Sequence, residues 1–391
     1  FTDDILQKKG ISFKEGFSIR NLPKDEAWGA VEAAGFHCPP WYISSDAYLV
    51  PPIRNPEIKA LRQRRIRASS YSEAVAQLFN PKYGIAVCGT HGKTTTAGLI
   101  AYILEKAGQK PLALIGGEVL NWNSNARTGR GDYFVLEADE YREQFLRYRP
   151  QVIVVTNIDY DHPDYFRDAK SYRRSFQKFT RCLKPGGKVF YGRARYSSRA
   201  TREMGKLKII GEHNLKNALL AREVCRYLGV SDGIISGAIR GFKGVRRRLE
   251  KLGSYRGNII IDDYAHNPEK VKASLTALKE AYPTRGISVI FQPHTFTRTA
   301  KFLQAFASSL VMADNIYLLN IYGSARERKG GVSSDDLKEA INKLNHSALN
   351  LKTIEKAVAF CRVGKMPRGV WVMMGAGDVF KAGYRLLGRS N

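Results

Sequence analysis

Cysteine is scarce in this chain: five in 391 residues (Cys38, Cys88, Cys182, Cys225 and Cys361), odd in number, far apart and without a CxxC pair. That pattern argues against a disulfide framework or a zinc site, and it fits a reducing cytoplasm. No apolar stretch approaches the roughly 18 residues that a membrane-spanning helix needs, and no signal peptide is visible, so no membrane partner is expected. Negative charge is also in short supply, with 36 Asp and Glu against 63 Lys and Arg, a net charge of +27. Such an excess suits either a polyanionic partner or a basic protein that handles anionic small molecules. The basic residues are spread along the chain, with only short clusters at 62–67 and 246–248. A nucleic-acid arm would be a longer block, so no nucleic-acid partner is expected. Internal repeats and low-complexity tracts are absent.

What is present is a globular composition, 43% apolar and 11% aromatic. The length exceeds one ordinary core and predicts two or three domains. From about residue 85, short β-rich runs alternate with amphipathic helical stretches, at 85–88, 133–136, 152–156, 259–261, 287–291, 316–319 and 370–374. Each run is apolar throughout rather than alternating, as expected for strands of a parallel α/β sheet buried on both faces. Boundaries are placed at Asn80-Pro81 and at 241–245, where Gly-Phe-Lys-Gly-Val reads as a flexible connector and candidate hinge. Residues 1–80, broken by Pro39-Pro40 and Pro51-Pro52, read as a partial α/β domain. The chain begins with Phe in what reads as the middle of a unit, and a further piece is expected upstream.

Residues 84–96 read Gly-Ile-Ala-Val-Cys-Gly-Thr-His-Gly-Lys-Thr-Thr-Thr, an apolar strand running into Gly89-Thr90-His91-Gly92-Lys93-Thr94-Thr95, with a helix expected at 97–107. Glycines let backbone N–H groups converge on phosphate oxygens, and the helix N-terminus adds partial positive charge. Lys93 can reach the β- and γ-phosphates of ATP, and the Thr94 hydroxyl can ligate Mg²⁺. The common pattern carries a further glycine five residues before Gly92, where this chain has Val87.

The next buried strand ends in Glu137-Ala138-Asp139-Glu140, and the one after it in Thr156-Asn157-Ile158-Asp159-Tyr160-Asp161-His162. Ligands bind beyond the carboxyl ends of parallel strands, so these groups fall on the edge that carries the cradle. Glu137 is a candidate Mg²⁺ ligand and His162 could hold a second ion. Asp159 and Asp161 read as N-caps or solvated turn residues rather than ligands. In Gly211-Glu212-His213-Asn214-Leu215-Lys216-Asn217, the two asparagines share a helix face. They suit either a purine edge or a helix cap.

Taken in order, these motifs resemble the Mur ligase family. The resemblance extends to Arg247-Arg248-Leu249-Glu250, to Asp262-Asp263-Tyr264-Ala265-His266-Asn267-Pro268, to Gln292-Pro293-His294-Thr295-Phe296-Thr297-Arg298 and to Ile321-Tyr322-Gly323-Ser324-Ala325-Arg326-Glu327, and covers roughly residues 50–390. The last two runs are most similar to the branch that joins UDP-N-acetylmuramate to L-alanine in the cytoplasm. The resemblance implies an α/β, three-domain architecture: a partial UDP-sugar-binding-type domain at 1–80, a P-loop parallel-sheet central domain at 81–244 and a Rossmann-like C-terminal ligase domain at 245–391. It further implies that Lys93 and Thr94 serve the ATP phosphates and a first Mg²⁺ with Glu137, and that His162 ligates a second. Gly89, Thr90, His91, Gly92 and Thr95 would complete the cradle; His213, Asn214 and Asn217 would surround the adenine. Arg248 and Asp263 would contact ATP from the third domain, while His266, His294 and Arg298 would face the muramoyl–amino acid end. A monomer or weak homo-oligomer is expected.

The sequence departs from the family pattern in three places. It lacks the Gly-rich nucleotide-sugar loop, its segment between His162 and His213 is short, and Tyr141-Arg142-Glu143-Gln144-Phe145 stands where many members have Ser-Asp. The implied chemistry is attack of a carboxylate on the γ-phosphate, then displacement of phosphate from the acyl phosphate by an amine. Lys93→Ala is therefore expected to remove turnover with the fold intact. The rival readings are a ligase that attaches a preformed murein peptide, a folate polyglutamylating ligase, a basic P-loop ATPase acting on nucleic acid, and a non-catalytic relative.

Overall fold

The computed structural model describes residues 41–44, 67–162, 165–193, 195–197, 207–323, 327, 330–364 and 366–389, with the backbone alone for 41–44 and 67–71. Two compact units emerge, Phe1–Pro81 with Gln144–Arg149, and Lys82–Glu143 with Pro150–Asn391. In the first, β1 (Trp41–Ser44) pairs in parallel with β2 (Arg67–Ser70), which leads into α1 (Tyr71–Phe79). The remainder of the partial α/β domain expected over 1–80 lies outside the described residues.

The second unit opens with β3 (Tyr83–Cys88), α2 (Lys93–Lys106), β4 (Leu112–Val119), β5 (Ser124–Arg127), β6 (Tyr133–Glu137), β7 (Val152–Val155), α3 (Ala169–Thr180) and β8 (Lys188–Tyr191). These strands form one sheet in the order β5-β4-β6-β3-β7-β8, parallel except for the edge pair β4–β5. Residues 85–88 and 152–154 are fully buried, as apolar runs covered on both faces must be. Helix α2 begins at Lys93, four residues ahead of the expected start, because Gly92 (φ 80°) turns the chain directly from the strand into the helix. It packs against α4 (Glu212–Tyr227) and α5 (Asp232–Gly241), joining Leu99, Ile103, Leu220 and Ile239 in one core. Each such aliphatic side chain contributes about 1.5–3 kcal/mol by leaving water.

The chain continues through β9 (Glu250–Tyr255), β10 (Asn258–Asp263), α6 (Pro268–Ala281), β11 (Gly286–Phe291), α7 (Phe296–Lys301), α8 (Leu303–Leu310), β12 (Asn315–Leu319), α9 (Ser334–Asn342), β13 (Ala348–Lys352), α10 (Ile354–Arg362), β14 (Gly369–Met374) and α11 (Phe380–Leu386). Their sheet runs β13-β12-β11-β14-β10-β9, parallel apart from the edge strand β9. Successive residues of β14 enter opposite cores. Val370, Val372 and Met374 join α6, α8 and α9, whereas Trp371 and Met373 join α10 and α11. This two-sided cover is why the run shows no polar alternation. Helix α6 starts cleanly because the Asn267 side chain accepts from the Lys270 amide (2.9 Å) and Pro268 occupies the first turn. Among the described residues, no helix is long and apolar enough to cross a membrane.

The connector at 241–245 differs from its expected flexibility. Phe242 and Val245 are buried. The Asn121 side chain bonds the Gly241 carbonyl (3.0 Å) and the Lys243 amide (2.8 Å), and the Leu120 amide donates to Gly244 (3.0 Å). Two glycines suggested looseness, but the flanking apolar side chains anchor the segment to β4 and α2. Left-handed backbone appears just beyond it, at Arg247 (φ 61°) and Leu249 (φ 48°).

Candidate functional site

The carboxyl ends of β3, β6 and β7 and the start of α2 meet at one sheet edge, and the C-terminal half adds residues from Arg248 to Ser274. Together they line a cavity of about 860 Å³, within the range for small-molecule sites. Gly89 (φ 126°) has room for no side chain, because a Cβ would collide with the Thr156 hydroxyl and the Asn157 carbonyl. A Cβ on Gly92 would collide with the Asn217 amide.

At the cradle, Thr90 and His91 turn their amides toward the protein: Thr90 donates to the Asn157 carbonyl (3.1 Å) and His91 to Asn157 Oδ1 (2.9 Å). No side chain caps α2, and among the described residues the first-turn amides of Lys93, Thr94 and Thr95 have no acceptor. These are the donors left for an anion. Lys93 Nζ donates to both oxygens of Glu140 (3.0 and 2.8 Å) and to the Gly89 carbonyl (2.5 Å). Burial alone would lower its pKa, but Glu140, Asp139 and Glu137 more than offset that and keep the ammonium charged. Thr94 Oγ1 donates to Glu137 (3.0 Å), whose other oxygen accepts from the Gly116 amide (2.6 Å). Burial raises the pKa of Glu137, opposed by Lys93, the Gly116 N–H, Arg248 and Thr94.

Glu140 is the residue that sequence reasoning missed. It is buried, accepts from the Tyr172 hydroxyl (3.1 Å) and stands 3.7 Å from His162 Nε2. Tyr172 also bonds Thr90 Oγ1 (2.9 Å), which joins Asp159 in turn. The acidic run was visible, but nothing local showed which acid would meet the lysine. Asn157 lay inside a quoted motif yet drew no role.

Two donor sets suit a hard divalent cation such as Mg²⁺. The Thr94 hydroxyl and Glu137 carboxylate form one; Asp139, Glu140 and His162, with ligand atoms within 4.8 Å of one another, form the other. His162 thus groups with the acids beside Glu137 rather than with Glu137 itself.

His213, Asn214, Asn217, Arg248 and Asp263 all reach the cavity. Asn214 donates to the Ile210 carbonyl (2.8 Å) and accepts from Asn217 (3.4 Å), and neither asparagine caps the helix, whose N-cap is Gly211 with no side-chain cap bond. Arg248 lies over the Tyr264 ring, 5.0 Å from its centroid. Asp263 accepts from Ser274 and from the Leu249 amide (3.4 Å).

His266, His294 and Arg298 gather in a neighbouring cluster. The two imidazoles lie 6.3 Å apart, and His294 stacks on Tyr322 at 5.8 Å. His266 Nδ1 contacts the Tyr264 carbonyl (2.8 Å). A carbonyl only accepts, so Nδ1 carries the proton and Nε2 is left as an acceptor. Burial, Lys270 and Arg298 hold that ring neutral.

Burial and Lys270 pull His91 down to about 4, although Asp159 and Asp161 oppose them. Its folded pKa is depressed, so its contribution is present above the unfolded value of ~6.5 and is lost as pH falls from there toward 4. Relative to His91→Gln, the wild type should lose about 2–3 kcal/mol of stability across that window. Parallel unfolding curves for the two proteins would contradict this.

A model of the Mur ligase middle domain matches residues 87–206, and a model described as Mur ligase, glutamate ligase domain, matches 247–377. The UDP-N-acetylmuramate–L-alanine ligase of Carboxydothermus hydrogenoformans is 33% identical over 426 residues, covering 98% of this chain and 88% of that protein. The crystal structure of the UDP-N-acetylmuramate-alanine ligase of Thermotoga maritima shares the fold (TM-score 0.76, 24% identity, 98% of this chain and 90% of that one). So does a murein peptide ligase from Psychrobacter arcticus (TM-score 0.66, 21% identity, 99% and 91%).

Proposed function

The chain belongs to the Mur ligase family, and we propose that it joins the carboxylate of UDP-N-acetylmuramate to the amine of L-alanine at the expense of ATP. The observation that carries this reading is the arrangement at one sheet edge. Lys93, Thr94 and Glu137 share a cavity with Arg248 and Asp263, next to the cluster of His266, His294 and Arg298. Residues 81–244 serve as the nucleotide-binding part and 245–391 as the ligase part, in a cytoplasmic enzyme.

In this reaction a carboxylate attacks the γ-phosphorus, ADP leaves, and the amine displaces phosphate from the acyl phosphate. The first-turn amides of α2 and the Lys93 ammonium hold phosphate oxygens, and phosphoryl transfer depends chiefly on such positioning and charge. Thr94 and Glu137 would hold one Mg²⁺, and Asp139, Glu140 and His162 a second. Bound magnesium would neutralise charge on the phosphates. Arg298 offers a planar fork for a carboxylate, and neutral His266 offers a lone pair to an amine proton.

Phosphate release measured with ATP, UDP-N-acetylmuramate and each amine in turn tests the reading. Release is expected only when L-alanine accompanies the other two. A requirement for a preformed tripeptide instead would move the chain to the peptide-attaching branch, and stimulation by nucleic acid alone would discard the ligase reading.

A further inference from the structure

Most cations that line the cavity have a carboxylate partner. Lys93 is held by Glu140 (2.8 Å), Lys216 by Glu212 (3.0 Å) and Arg193 by Glu223 (3.5 Å). Lys270 does not. Its backbone amide is engaged by the Asn267 cap, but among the described residues no acceptor stands within reach of its ammonium. The side chain is half-buried in the first turn of α6 and lines the cavity.

Its surroundings give its place. It lines the same cavity as the cradle residue Lys93 and as Arg248, and the charges of Arg248, Asp161, Lys93 and Arg298 all act on it. Burial, then Arg248, pulls its pKa down to about 8. A desolvated cation among like charges is unfavourable until an anion arrives. The cradle end already has its own lysine, and the acceptor end has Arg298. The position between them is where a phosphoryl group passes from one to the other.

We propose that Lys270 is a catalytic residue that contacts the transferring γ-phosphoryl group from the C-terminal side of the cavity. This rests on the ligase reading for the identity of the acceptor carboxylate. No bond to the lysine forms or breaks. Its N–H donors hold peripheral phosphoryl oxygens while the bond to ADP breaks and the bond to the carboxylate forms, and the same contact ties the C-terminal half of the cavity to a loaded triphosphate.

The test compares Lys270→Met and Lys270→Arg with the wild-type chain, using calorimetric binding of a non-hydrolysable ATP analogue and of ADP, each with magnesium, alongside kcat. Lys270→Met is expected to weaken the analogue roughly 10–100-fold, as for loss of a hydrogen bond to a charged group, while ADP affinity stays within about twofold of wild type. Its kcat should fall by a similar factor, and Lys270→Arg should recover part of both. Equal weakening of the two nucleotides, or none, overturns the proposal. If Lys270→Met fails to fold, Lys270→Gln is read by the same criteria. Nucleotide binding needs neither sugar nor amine. A chain that shows the split between analogue and ADP but releases no phosphate with L-alanine keeps the Lys270 contact and loses the ligase reading.

Discussion

Replacing Lys93 with alanine is expected to lower kcat by about 10³-fold, the upper end for one well-aimed donor, and to destabilise the nucleotide-free protein by about 3 kcal/mol. The first effect follows from the position of the ammonium at the strand–helix turn, where it joins the cradle to Glu140 just beyond β6. The second adds a loss of stability to the expectation that the fold stays intact. Glu140 is buried and Lys93 is its principal cationic partner, so truncating the lysine strands a carboxylate in the interior. Adding Glu140→Gln to Lys93→Ala should return most of the lost stability and none of the turnover. Chemical denaturation and steady-state rates on the single and double variants decide both points. A wild-type unfolding curve for Lys93→Ala would remove the coupling, and near-normal turnover would remove the cradle.

Glu137→Gln should cost roughly 10²–10³ in turnover, the scale of a lost charge-stabilising contact, and should raise the magnesium concentration needed for half-maximal rate. Glutamine keeps a carbonyl for the Gly116 amide and a polar atom for Thr94, so the local geometry is retained while the charge is lost. Burial already favours the uncharged form of Glu137, which means that a cation beside it has most to offer. Magnesium titration of nucleotide binding separates the outcomes. An unchanged magnesium requirement would make Glu137 a brace for Thr94 and Gly116 rather than a ligand.

Interior strands such as β7 and β14 were legible because burial on both faces leaves no polar residue to interrupt the run, whereas interior β4, with an exposed glycine midway, was not. The edge strands were not: β5 is Ser-Asn-Ala-Arg and β9 is half exposed, so neither carries an apolar signature. The site shows the same division. Lys93, Thr94 and Glu137 were readable from local order, since a strand–turn–helix fixes where each points. Glu140 was not, because its role depends on Tyr172 arriving from α3, 32 residues away. Lys270 was hidden for a related reason. A lysine in a first helical turn is ordinary until the opposite wall of the cavity is known. The connector misled because its glycines are conspicuous in sequence and its buried Phe242 and Val245 are not.

Strand β4 has more than one attachment. Near its end, Gly116 grips the Glu137 carboxylate, Glu118 pairs with Arg246 (2.9 Å) and Val119 bridges to Val245. Three neighbouring residues therefore fasten the Glu137 carboxylate and the path into the C-terminal half to a common rail. Substitutions of Glu118 or Val245 are therefore expected to disturb the peptide that aims Glu137, and with it turnover, although neither touches a reactant.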